Sequence, residues 1–202
     1  MTRLFALTLL IIAFPVPGYA ADEPWRDDPT AFINHFAEVG ISEILTTEIS
    51  DAEKLERFRS LFNDGFDIPA IGRFVLARSW RRAGNEEKQE FVDMFEDVIV
   101  YTWSRRFSEY DGQTIDVRGT SPDGETGTLV DSAIIDTNGQ SVAVQWRLRK
   151  REEGLKIVDV IVEGISMAIT YRQDYASVIR RKGGLNGLLM KLRTQVGSLA
   201  EL

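Results

Sequence analysis

The sequence predicts an α+β protein, a curved four-stranded antiparallel sheet with helices packed on one face. Apolar residues recur at helical spacing from Thr30 to about Tyr110, the period changes to two beyond Asp111-Gly112, and helical spacing returns from Ser166 onward. With no internal repeat and no low-complexity tract, residues 21–202 read as one domain behind a distinct N-terminal segment, residues 1–20.

That first segment, MTRLFALTLLIIAFPVPGYA, carries one basic residue, an apolar run from Leu4 to Phe14, two prolines and a small-residue end at Ala20. The pattern is that of a signal peptide cleaved after Ala20. The run falls short of the about 20 apolar residues that a membrane-spanning helix needs. The expectation is therefore a soluble exported protein. Cysteine is absent, so neither a disulfide framework nor an acylated lipoprotein cysteine is available, and a freely diffusing periplasmic protein is expected.

Thr30 to Thr47 carries Phe32, Ile33, Phe36, Val39, Ile44 and Leu45, with a break near Gly40, and a second helix follows from Asp51 to Phe62. Asp67 opens a third, with Ile68, Ile71, Phe74 and Val75 at helical spacing, ending near Ala83-Gly84. These short helices read as packing elements. The helix from Asn85 or Glu86 to about Tyr110 is apolar over well over half of its circumference, which predicts cover on two sides, or a helix that covers a sheet while lining a cavity.

Four strands are predicted at 113–118, 127–136, 141–151 and 155–162. Asn138-Gly139 is a hairpin signal, and Glu153-Gly154 joins the last two strands, so consecutive strands run antiparallel. Val142, Val144, Trp146 and Leu148 alternate with Gln145, Arg147 and Arg149, which puts one face toward helices and the other toward solvent. Helices from Ser166 to about Arg181 and from Leu185 to about Val196 close the chain.

Several function classes are excluded. A formal net charge of -7 opposes nucleic-acid binding. Cysteine chemistry is impossible, the single histidine, His35, has no nucleophile turn to serve, and the chain lacks the usual zinc ligand set and any phosphate loop. No catalytic residue, metal or cofactor is therefore assigned. Carboxylates in or beside strands remain: Asp116, Asp131, Asp159 and Glu163. One of them could act as a general base in an apolar pocket, as in an isomerase of the ketosteroid type. The reading placed ahead of it is architectural: Asp159 and Glu163 pair with Arg73 or Arg78 and fix the strand-to-helix junction. Periodicity alone leaves open whether the interior is filled or hollow.

From Phe66 to about Leu192, over nearly two thirds of the chain, the sequence resembles the MlaC family of periplasmic phospholipid-shuttle proteins, also called the toluene-tolerance family. The segments that carry the resemblance are FDIPAIGRFVLARSWRRAGNEEKQEFVDMFEDVIVYTWSRRFSEYDGQTIDV, VDVIVEGISMAITYRQDYASVIRR and KGGLNGLL; the family's usual G-R-Y/W stands here as Ala77-Arg78-Ser79-Trp80. The resemblance implies helices and sheet enclosing a hydrophobic pocket for the acyl chains of a diacyl phospholipid. It implies a carrier without a covalent step, working between an outer-membrane lipoprotein complex and an inner-membrane ABC transporter complex. Relatives linked to hopanoid handling keep another lipid open. Within such a pocket the expected lining is Val75, Phe91, Phe95, Val98, Ile99, Val130, Ile134, Val144, Trp146, Val160 and Ile169, the helical ones placed by period and the strand ones by alternation. A monomer is expected.

Overall fold

The structure, a computed structural model, describes residues 23–201; the predicted signal peptide and its cleavage site lie outside the described residues. Helix α1, Pro29–Val39, starts under an Asp28 cap and continues into a π-helical turn, Gly40–Leu45. Helix α2, Asp51–Gly65, is capped by Ser50 and runs past the expected end at Phe62. Asp67 caps α3, Ile68–Leu76, where the predicted single helix breaks: Ala77 takes φ +50° and ψ −111°, and a separate short helix, α4, runs Arg78–Arg82. Helix α5, Asn85–Ser104, begins where expected and stops short of the expected Tyr110; Gly84 is its cap, with Glu87 reaching back to the Gly84 N–H at 2.8 Å.

The strands are β1, Thr114–Asp123; β2, Gly127–Ile135; β3, Ser141–Arg151; β4, Gly154–Val162; and a two-residue β5, Ile165–Ser166. They lie in the order β1-β2-β3-β4-β5, each antiparallel to its neighbour, so the four predicted strands gain a short fifth. The predicted first strand is too short because Gly119 and Pro122 masked its second half. At the β2–β3 hairpin the Asp136 carboxylate accepts from the Asn138 and Gln140 N–H groups while Gly139 takes φ +81°. Register shifts at Arg118 in β1 and Val158 in β4 insert one extra residue each, and such bulges bend a sheet.

Helix α6, Met167–Arg181, is capped by Ser166, and α7, Leu185–Ala200, follows. Helix α1 packs on β1 and β2, and α2, α3 and α6 pack on β4. Helix α5 is covered by α7, α2 and α3, which answers its nearly all-round apolar surface. The buried side chains form two clusters. One joins α2, α3, α5, α6 and α7 around Phe91, Phe95, Val100, Leu188 and Leu192; the other joins α1 to the sheet around Phe32, Ile33, Val130, Leu148 and Ile157. No described helix is long and apolar enough to cross a membrane.

Candidate functional site

Between the two clusters lies a cavity of about 230 Å³. Its floor is the inward face of the sheet: Ile134 of β2, Val144 and Trp146 of β3, and Val158, Val160 and Val162 of β4. Ladder pairing explains the set, because Val144 stands opposite Val162 and Trp146 opposite Val160. The roof combines Phe95, Ile99 and Trp103 of α5 with Ile71 of α3 and Met167, Ala168 and Tyr171 of α6. Phe36 of α1 and Phe58, Phe62 and Phe66 around α2 close the side. Phe66 packs at 4.4 Å against Phe62 with the rings tilted by 33° and meets Phe36 edge-on at 5.8 Å, so it joins the two clusters. Trp103 lines the cavity and is also 46% exposed, which puts the opening beside the C-terminal end of α5.

The polar groups of Trp146 and Asp159 at this wall are already occupied. The Trp146 indole N–H donates to the buried Ser132 hydroxyl at 2.9 Å, and that hydroxyl donates to the Val144 carbonyl at 2.9 Å. The indole is thereby fixed with its ring toward the cavity. Among the described residues Asp159 is the only charged one on the wall, and it is 4% exposed. One of its oxygens accepts from the Ala168 N–H at 2.9 Å; the other accepts from Ser166 Oγ at 2.6 Å and Arg147 Nη1 at 2.8 Å. Arg147 also reaches Asp123 at 3.0 Å. Burial pushes the Asp123 carboxyl up, but the hydrogen bond from Arg149 and the charges of Arg147 and Arg149 outweigh it and hold the group below its ordinary value.

The expected ion pair is corrected in its partner. Arg78 holds neither acid, because the break at Ala77 turns α4 to the outer surface, whereas Arg147 stands directly opposite Asp159 in the β3–β4 ladder. Glu163 uses Oε1 to accept from the Ala143 N–H at 2.5 Å and, at φ +48° beside Gly164 at φ +78°, forms the tight turn into β5. Asp131 accepts from Gln145 Nε2 at 2.7 Å on the face away from the cavity, and Asp116 pairs with Arg118 at 3.0 Å, both half exposed. His35 stacks on Trp25 at 3.9 Å, away from the cavity. Both oxygens of Asp159, the carboxylate on the cavity wall, are thus engaged in hydrogen bonds within the protein.

Of the residues expected on the lining, the structure brings Phe95, Ile99, Ile134, Val144, Trp146 and Val160 together there. Val75, Phe91 and Val98 are instead buried in the helical cluster, Val130 is buried in the sheet cluster, and Ile169 is 45% exposed on α6. Period assigned each of these to an apolar side but not to the neighbour on that side. Phe91 packs on Gly72, whose missing side chain lets α3 approach α5, so this small residue leaves no space. The missed lining includes Met167, Ala168 and Tyr171 of α6 and one whole side, which comes from α1 and α2. Its sequence signal is the phenylalanine run Phe58, Phe62 and Phe66, spaced by four.

A family model described as MlaC protein matches residues 41–194. The chain belongs to the MlaC family. It is 23% identical over 186 residues to the toluene tolerance protein ttg2D of Pseudomonas putida, covering 88% of this chain and 82% of that one. It is 19% identical over 195 residues to the intermembrane phospholipid transport system binding protein MlaC of Haemophilus influenzae, covering 93% and 89%. A solved structure of a phospholipid-binding protein from Ralstonia solanacearum, in complex with a phospholipid, superposes with TM-score 0.75 at 23% identity, covering 85% of this chain and 98% of that one. The α+β architecture is thus that of the MlaC family.

Proposed function

We infer that the chain is a periplasmic phospholipid carrier that holds acyl chains in the cavity between sheet and helices, without covalent chemistry. One observation carries this reading: an interior hollow of about 230 Å³ walled mostly by valine, isoleucine, phenylalanine and tryptophan, with the Trp146 indole N–H and the Asp159 carboxylate already hydrogen-bonded. Hydrocarbon makes no directional bonds, so such a wall suits lipid tails and little else. Bringing about 30 methylenes from a membrane into water costs on the order of 24 kcal/mol at ~0.8 kcal/mol each, so unassisted escape is slow and an apolar hollow lowers the barrier.

The named relatives support the same reading, one as an intermembrane phospholipid transport system binding protein and one as a protein solved with phospholipid. Exchange partners in this role are an outer-membrane lipoprotein complex and an inner-membrane ABC transporter complex, visited by a monomer exported after cleavage at Ala20. The headgroup stays at the opening beside Trp103, in water. Native mass spectrometry of protein purified gently from the periplasm tests the reading. Phospholipid is expected on a substantial fraction of the molecules, and lipid-free protein throughout would overturn it.

A further inference from the structure

A second concavity lies on the outer side of α3, α4 and α6. It measures about 470 Å³ and is lined by Arg73 and Phe74 of α3, Arg78, Trp80 and Arg81 of α4, and Arg172 of α6. Arg73, Arg78, Arg81 and Arg172 have no ion pair and donate no side-chain hydrogen bond among the described residues, although the chain is acidic overall and Arg26, Arg59, Arg147 and Arg193 all find carboxylates. Arg78 and Arg81 stand one helical turn apart, where like charges repel. The groove is therefore a concentration of positive charge whose counter-charge the fold does not supply.

Two further features are independent of charge. The Arg172 guanidinium lies 4.9 Å over the exposed Phe74 ring, an aromatic contact that uses none of its N–H donors, and the Lys88 ammonium stands 5.7 Å over Trp80. A held guanidinium is suited to bidentate recognition of carboxylate or phosphate. Ala77 at φ +50° and ψ −111° occupies a conformation that an L-residue adopts only at a cost. That strain breaks α3 from α4 and swings Arg78 and Arg81 across from Arg73 and Arg172; strain of this kind collects at functional positions.

We propose that this groove is a docking site for a carboxylate-rich segment of a partner polypeptide. The site is separate from the cavity: Ile71 and Tyr171 point inward from the same helices whose Arg73 and Arg172 line the groove. Its concave shape admits a chain segment and excludes a flat bilayer, and four arginines spread over 470 Å³ exceed what one small anion can contact. The proposal does not depend on what fills the cavity.

The test uses the whole protein and labelled poly-L-glutamate, with inorganic phosphate and phosphatidylcholine vesicles doped with phosphatidylglycerol as separate probes. Saturable binding of poly-L-glutamate that weakens with added salt is expected. The double variant Arg73→Gln/Arg172→Gln should bind about tenfold more weakly, the loss of two charge-assisted contacts. Arg180→Gln/Arg181→Gln removes the same charge elsewhere on α6 and should change binding by less than about twofold. Equal loss in both double variants would overturn the proposal, as would phosphate binding as tightly as the polymer, vesicle binding with the polymer unbound, or no binding to any probe. Phospholipid content measured on the same variants reports on the cavity separately and should not change.

Discussion

Tyr175 is 6% exposed, and its hydroxyl finds no hydrogen-bond partner among the described residues. Its ring packs against Phe91 and Phe95. Burial first, then the charges of Tyr171 and Asp174, push its titration well above the ordinary 10.0. A group whose folded value is raised contributes stability that is fully present below the unfolded value and is lost as pH rises beyond it. The protein should therefore weaken above about pH 10 as the unfolded chain's phenol ionises and the folded one cannot follow. Tyr175→Phe removes an unsatisfied buried hydroxyl and should gain about 1 kcal/mol at neutral pH in urea denaturation. The same variant should show a smaller loss of stability at alkaline pH. An unchanged alkaline profile would mean that Tyr175 does not govern it. Single residues of this kind were illegible in the sequence, where a tyrosine one helical turn from Tyr171 reads only as apolar surface.

At the scale of elements, the junction of β4 with α6 does most to shape the cavity. Asp159 joins three elements at once, holding the first turn of α6 through Ala168 and Ser166 and the neighbouring strand through Arg147. A carboxylate at a helix N-terminus also meets the favourable end of the helix dipole. Asp159→Asn should cost about 2 kcal/mol in urea denaturation, because Arg147 loses a buried counter-charge and the amide cannot accept from all three donors. Bound phospholipid should persist in the folded variant. A catalytic acid would behave oppositely, with stability intact and turnover gone. The sequence made the acid's structural role legible through its place at a strand end, but not its partner. Finding Arg147 required the register of β3 on β4, including the extra residue at Val158, and no spacing in the sequence reveals that slip. Strand β3 was legible to both ends and α5 to its start, but the expected end of α5 near Tyr110 overruns Ser104, where the helix stops; the break at Ala77 was not legible either, because alanine ordinarily continues a helix.

Over the whole molecule, the fold was more legible than the hollow. Apolar period tells which side of an element is buried, and a buried side looks the same against a neighbour or against empty space. That is why Val75, Phe91 and Val98 on covered helix faces were expected at the cavity while Phe58 and Phe62 of α2 were taken for packing. The hollow also has a size consequence. At about 230 Å³ it lies below the roughly 300–1,000 Å³ of pockets that bury drug-sized ligands, so two full acyl chains require its two bordering clusters to part along their apolar boundary. Val160→Trp puts an indole into that space from the sheet side. Stability should hold within about 1 kcal/mol because the ring fills a void. Recovered phospholipid per protein, measured by extraction, should fall several-fold; undiminished lipid would place the cargo elsewhere.

The Ser132 clasp on Trp146 has one more effect. With the indole proton spent inside the sheet, Trp146 offers the floor an apolar ring and no hydrogen-bond donor. Whatever lies on that floor meets Trp146 through shape and bulk and not through a polar contact.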